Sequence, residues 1–400
     1  MFNAKHGWWV AAVVVFGGLL GLFYAHGLRA QAGEADAVAA GIVSDLTAQM
    51  ASAPAVPASV PLPMPRPPIA LPSSGRLTRQ QVGVVINEAD PYSVNVGAYY
   101  VQQRGLRPHQ VLRVRLPVEP ALSPDDLQTL RQQIDAFFGP GIQALALAWA
   151  QPWRVECNSI TSAVTLGFQP GHCGCGKGAD SPYFNATTAM PFSVLGIRPS
   201  MLLAAGDVAH ARALIDTGVS ADGSRFHVRT PMVAAVFKRS GDVRRDVRAP
   251  LFPQPNRSEA LGVEIRNDKP STPVPTQPLI LYQTGGVNEP LLAQLKFVPG
   301  AVADHLTSAG GMLDGSGGHM PATAWIDAGA TASYGTVTEP CNYTQKFPHP
   351  QLLLLRLMEG GSVLEAYWKS VQWPVQGVFV GEPLAAPYAP VQRPVPAQAR

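Results

Sequence analysis

From residue 82 onward, short apolar runs alternate with segments of helical periodicity, and turn-forming residues separate them. VGVVIN (82–87) is an apolar run ending in polar residues, the pattern of a buried strand. Asp90 can cap a helix that holds Pro91 in its first turn and runs through VGAYYVQQR to Gly105. QVLRVRLP (110–117) reads as a strand closed by Pro117. Ser123 and Pro124 open a second helix, PDDLQTLRQQIDAFF, with acids at its start and Gly139 beyond its end. ALALAWA (144–150) is the next buried strand. Strand, helix, strand, helix, strand predicts an α/β fold, a mostly parallel sheet flanked by helices.

The stretch 151–250 is less regular, although MLLAAGDVAHARALIDTGV (201–219) reads partly as a helix with Val208, Ala211, Leu214 and Ile215 on one face. After a proline-rich segment, KPSTPVPTQP (269–278), the α/β pattern returns. PLILYQTGG and AVADHLTSAGG are strands entering turns, PATAWIDAGA a helix, and TASYGTV a strand. QLLLLRLMEGGSVLEAYWKSV holds one or two helices, and GVFVGEP closes the series.

One run has no polar interruption. WWVAAVVVFGGLLGLFY, from Trp8 to Tyr24, is uncharged and long enough to cross a hydrocarbon core of ~30 Å as a helix. Aromatic pairs stand at both of its ends, and Lys5 before it predicts an N-terminus kept in the cytoplasm. The alternative is a signal peptide cleaved near Ala30-Gln31-Ala32. Either way the rest of the chain is exported. The organisation reads as 1–25, anchor or signal segment; 26–78, an Ala/Pro-rich linker holding the folded part away from the membrane; 79–268, a first α/β part with a cysteine-containing insertion; 269–278, a proline-rich linker; 279–390, a second α/β part; and 391–400, a tail.

The net charge of +3 and the lack of any basic run interleaved with aromatics exclude a nucleic-acid partner. Glycine runs such as GGMLDGSGG lack a P-loop lysine, so no phosphate-binding motif and no cofactor is expected. Asp304, Asp314, Glu339 and Glu382 are acids that spacing alone cannot pair. Cys157, Cys173, Cys175 and Cys341 form an even set in an exported chain, which favours disulfides. With His172 they offer soft metal ligands, but C-x-C lacks the usual zinc spacing and no metal is expected. A bridge from Cys157 to Cys173 or Cys175 would close a loop of about 16 residues and contribute roughly 3 kcal/mol.

LILYQTGG, AVADHLTSAGG, TAWIDAGATASYGTV and FVGEP together resemble the strand-end segments of clan CD cysteine peptidases, the caspase-like fold of gingipain-type enzymes and CHAT domains. The stretches SPYFN, IRPSMLLA and SYGTVTEP resemble a bacterial family of exported proteins that carries no assigned activity, over roughly residues 80–390. These resemblances imply a caspase- or gingipain-like core on the outer side of a bacterial inner membrane, or secreted after cleavage. Carried over, the family's histidine position falls near Thr284 and its cysteine on Thr307 or Ser308. Threonine is no base near neutral pH, and a hydroxyl is a poor nucleophile without one. Glu382 stands where the family often has the Asp of Gly-Asp-Pro, a turn role.

The expectation is therefore a pseudoenzyme, a non-peptidase binding or scaffold module of the cell envelope with an unspecified ligand or protein partner. Its pocket would form at the carboxyl ends of strands, around Thr284, Gly285, Thr307, Ser308 and Gly310, and could hold a polar group or anion. The rival is a hydrolase with a relocated site. His305 and Cys341 are its first candidates, followed by Ser308 and by His319 in the turn GSGGHMP.

Overall fold

The run VGVVIN forms β1 (Val82–Asn87), buried at every position, so both faces of the strand are covered. Asp90 caps α1 (Pro91–Arg104), its carboxylate accepting from the Tyr92 amide at 2.9 Å, and Gly105 ends the helix in the left-handed region at φ 61°. β2 (Val111–Val114) follows, then α2 (Pro124–Phe137), where Ser123 Oγ accepts from the Asp126 amide at 3.1 Å, and β3 (Ala144–Leu147). The computed structural model describes residues 76–226 and 230–390. The apolar run 8–24, the Ala/Pro-rich linker up to residue 75 and the tail 391–400 lie outside them. Among the described residues no helix is long and apolar enough to cross a membrane.

The irregular middle contains a small hairpin, β4 (Arg154–Val155) and β5 (Asn158–Ser159), with α3 (Ile160–Leu166) and α4 (Pro191–Leu195). β6 (Ser200–Leu202) then leads into α5 (Val208–Ala221). Next come β7 (Val233–Lys238), β8 (Asn256–Ser258), β9 (Val263–Asp268), β10 (Leu279–Gly285) and β11 (Phe297–Leu306). The series ends with α6 (Thr323–Asp327), β12 (Ala332–Thr336), α7 (Pro350–Met358), α8 (Val363–Trp368) and β13 (Gly377–Gly381).

Among the described residues one eleven-stranded sheet runs in the order β2-β1-β3-β6-β13-β12-β11-β10-β7-β9-β8. β2, β1, β3, β6 and β13 are mutually parallel, and so are β12, β11, β10, β7 and β9. The two sets meet where β12 pairs antiparallel with β13, Ala332 opposite Gly381 and Thr336 opposite Gly377. The carboxyl ends of the two sets therefore open on opposite edges of the sheet.

Aromatic packing holds the junction. Trp368 stacks on Phe379 at 4.2 Å between centroids, Tyr334 meets the same ring edge-on at 5.1 Å, and Trp368 Nε1 donates to the Ser200 carbonyl at 2.9 Å. α8 thus ties β6 to β13. A buried ion pair works beside it. Glu382, immediately after β13 and 0% exposed, accepts from Arg104 Nε at 2.9 Å, and Arg104 also donates to Asp222 at 2.6 Å and to the Gly218 carbonyl at 3.1 Å. Gly218 makes room, since a Cβ there would sit 2.5 Å from Glu382 Cγ. Burial alone would lower the Arg104 pKa, and the Glu382 carboxylate overrides it and holds the guanidinium charged.

Cys157 is bonded to Cys173, and Cys175 to Cys341, with Cα separations of 5.7 and 5.5 Å. The first is one of the two pairings left open for Cys157 by the sequence. The second spans 166 residues and binds the irregular middle to the loop that follows β12.

Candidate functional site

β11 ends at Leu306, and the chain turns through Thr307, Ser308 and the pair Gly310-Gly311. Thr336 Oγ1 donates to the carbonyls of Thr307 at 2.9 Å and Ser308 at 3.3 Å, and the Gly311 amide donates to the Thr336 carbonyl at 2.8 Å. A Cβ on Gly311 would stand 2.6 Å from the Gly335 carbonyl, so only glycine lets this turn lie on the end of β12. On the other side, Gly285 at the end of β10 packs against the backbone of Arg245, where a Cβ would collide. The Arg245 segment is itself folded by Asp246, which accepts from the Ser240 amide at 2.8 Å and the Gly241 amide at 2.9 Å.

These approaches leave a cavity of about 400 Å³ beyond β11, lined by Arg244, Arg245, Thr307, Ser308, Glu339 and Asn342 among others. Glu339 is almost fully buried, and its carboxylate is committed. It accepts from the Cys341 amide at 3.0 Å and from the Asn342 amide, and it pairs with Lys346 at 3.3 Å. Asn342 adopts φ 45° and donates from Nδ2 to the Arg244 carbonyl at 2.7 Å, fixing the backbone that carries both arginines. Arg245 pairs with Asp242 through one terminal nitrogen, and its Nε is buried without a partner among the described residues.

The residues singled out from the sequence are distributed as follows. Thr307 and Ser308 line the cavity; Thr284, Gly285 and Gly310 lie outside its lining. Thr284 sits opposite His305 across β10 and β11, and its carbonyl accepts from Arg248 at 2.8 Å. A Cβ on Gly310 would meet Thr307 Cγ2 at 3.1 Å and His305 Cε1 at 3.4 Å, so this glycine backs the site from behind.

The pairing of His305 with Cys341 as base and nucleophile is not realised. Cys341 has no thiol to ionise because it is bonded to Cys175. His305 is 1% exposed, and its Nδ1 accepts from Trp325 Nε1 at 2.9 Å. Burial, then the charges of Arg248 and His319, bring the His305 pKa down to about 3, against a smaller upward pull from the Met320 backbone. It is a neutral core histidine. Beside it Asp304, 0% exposed, is bonded to Arg248 at 2.6 Å and to Gln283 at 2.8 Å, and burial raises its carboxyl pKa.

The expectation that the Thr307 hydroxyl has no accompanying imidazole needs correcting. The glycine-rich loop after β11 folds back and sets His319 Nδ1 2.7 Å from Thr307 Oγ1. Partial burial and then the Arg245 charge lower the His319 pKa, leaving the ring neutral at pH 7 and able to accept a proton. No carboxylate is hydrogen-bonded to His319 among the described residues, so the orienting third group of a triad is missing. Arg244 and Arg245 were passed over in the sequence. Their signal was RSGDVRRDVR, an arginine-dense turn that reads as a solvated loop until β10 brings it to the end of β11.

A smaller cavity, of about 220 Å³, lies at the carboxyl ends of the other parallel set, with Asp90, Tyr92, Trp153 and Asp314 in its wall. No group of histidine, cysteine and acidic residues suited to a metal occurs among the described residues.

No protein-family model and no curated protein sequence matches the chain. Among solved structures, the Arg-specific cysteine proteinase gingipain R is similar at 11% sequence identity, with a TM-score of 0.45, over 77% of this chain and 78% of that one.

Proposed function

We propose that the protein is an exported, membrane-anchored binding module whose ligand site is the cavity beyond β11, and that it is not a cysteine peptidase. The observation that carries this reading is the state of the thiols: all four cysteines are bonded in pairs, including Cys341 beside the cavity. The lining offers guanidinium groups and hydroxyls without a thiolate, a set suited to holding a polar group. Two disulfides fit an oxidising compartment, in keeping with export through the uncharged run after Lys5. Unreduced full-length protein is expected to remain unlabelled by a thiol-directed peptidase probe. Stoichiometric labelling would overturn the reading. Export is tested separately, by a C-terminal reporter active only in the cytoplasm. It should stay silent, and activity there would reverse the topology.

A second reading, a hydrolase, is favoured by the 2.7 Å contact between Thr307 and His319. It requires Thr307 Oγ1 to attack the acyl carbon while His319 takes its proton and passes it to the departing alcohol or amine, after which water cleaves the acyl-enzyme ester and frees the hydroxyl. On a panel of ester and peptide substrates, a reproducible turnover abolished by Thr307→Val and retained by Ser308→Ala would select it. Absence of turnover selects the binding module.

A further inference from the structure

The cavity beyond β11 differs from an ordinary polar cleft in which of its groups are already spoken for. The one buried carboxylate in its wall, Glu339, has its oxygens occupied by two backbone amides and the Lys346 ammonium, so it presents no unmatched charge. The donors are in the opposite condition. The Arg244 guanidinium makes no ion pair or hydrogen bond among the described residues. Arg245 spends one terminal nitrogen on Asp242 and leaves the other without a hydrogen-bond partner among the described residues. The Ser308 hydroxyl likewise has no hydrogen-bond partner among the described residues, while its carbonyl is fixed by Thr336. Unpaired donors and a surplus guanidinium therefore surround a space of about 400 Å³ with no free acceptor charge.

We infer that this cavity is an oxyanion site in which Arg244, Arg245 and Ser308 clamp a phosphate or carboxylate group of the ligand. The inference rests on placing the ligand site there, as proposed above, and it names the chemistry of the ligand. Guanidinium groups suit such a ligand because their planar fork offers two parallel N–H donors to a pair of oxygens. The backbone that carries these donors is held in advance of binding. Asn342 grips the Arg244 carbonyl at 2.7 Å, its own loop is anchored by Glu339, and the Cys175–Cys341 bond sits one residue before it. A backbone already fixed leaves less ordering to be done when the ligand arrives.

Isothermal titration calorimetry of the full unreduced chain with inorganic phosphate, and separately with succinate, tests this at fixed ionic strength. Saturable binding of either ion is expected, and which one binds distinguishes a phosphate from a carboxylate source. Arg244→Ala should weaken it about 10- to 100-fold, as loss of a charge-assisted pair does, and Ser308→Ala roughly 3- to 10-fold. Arg113→Ala removes an exposed arginine elsewhere, paired only with Glu88 at 3.6 Å, and should leave binding unchanged. Heats that do not saturate with either ion would overturn the inference. So would equal losses in Arg113→Ala and Arg244→Ala, which mark general charge screening. The two proposals fail separately, since probe labelling leaves this titration intact and an empty titration leaves the thiols unreactive.

Discussion

Replacing Glu382 by alanine is expected to cost about 3–5 kcal/mol of unfolding free energy, the range seen when one member of a buried ion pair is removed. Arg104 would keep its charge at 7% exposure with only Asp222, itself 32% exposed, and the Gly218 carbonyl for company. The pair joins α1 to the residue after β13 across 278 positions of sequence, so its loss loosens the junction of the two parallel sets. Denaturant midpoints measured at unchanged slope give the number directly. A double variant, Arg104→Ala with Glu382→Ala, should lose less than the sum of the two single changes, because they share one interaction. A single-variant loss below about 1 kcal/mol, the range of exposed pairs, would show that the contact contributes no more than a surface salt bridge.

Acid should act on this protein through His305. In the unfolded chain its imidazole protonates below about 6.5, whereas the folded core keeps it neutral down to about 3. A depressed folded-state pKa contributes stability that is fully present above pH 6.5 and drains away as the pH falls toward 3. The full span is worth roughly 4–5 kcal/mol. Asp304 runs the other way, since burial raises its carboxyl pKa and its contribution grows as the pH falls. Comparing the wild type with His305→Gln at each pH isolates the imidazole, because glutamine can still accept from Trp325 and carries no proton into the core. The stability gap between the two proteins should change by several kcal/mol between pH 7 and pH 4. A gap that stays constant across that range would mean that the ring is protonated without strain and is not the buried neutral group described above.

Much of the fold can be read in the chain because local rules and tertiary packing agree there. The caps at Asp90 and Ser123, the prolines after them and the continuous apolar runs at 82–87 and 144–147 each name an element and its boundary. Agreement is weaker at 233–268. β7 is a run of five apolar residues closed by Lys238 with no α-helix between it and β8, and β9, VEIRND, is polar because it is covered only in part. Strand order is not a local property. Nothing in GVFVGEP announces that it pairs antiparallel with TASYGTV, or that Glu382 reaches an arginine in the first helix. The site shows the same division. Thr307 and Ser308 are legible as the end of a buried strand, whereas the meeting of Thr307 with His319 depends on how a loop with glycines at 310, 311, 315, 317 and 318 folds back. The pairing of Cys175 with Cys341 bridges 166 residues, and spacing carries no information over that distance.

The position of β13 bears on how such a chain folds. It is the last strand in chain order among the described residues, yet it lies in the middle of the sheet, between β6 and β12. Until residues 377–381 are in place, the rest of the sheet consists of two halves, each with a raw inner edge of unpaired amides and carbonyls. Edges of that kind pair readily with strands of other chains. A partly folded chain is thus most exposed to aggregation before β13 docks, and that strand closes both edges at once.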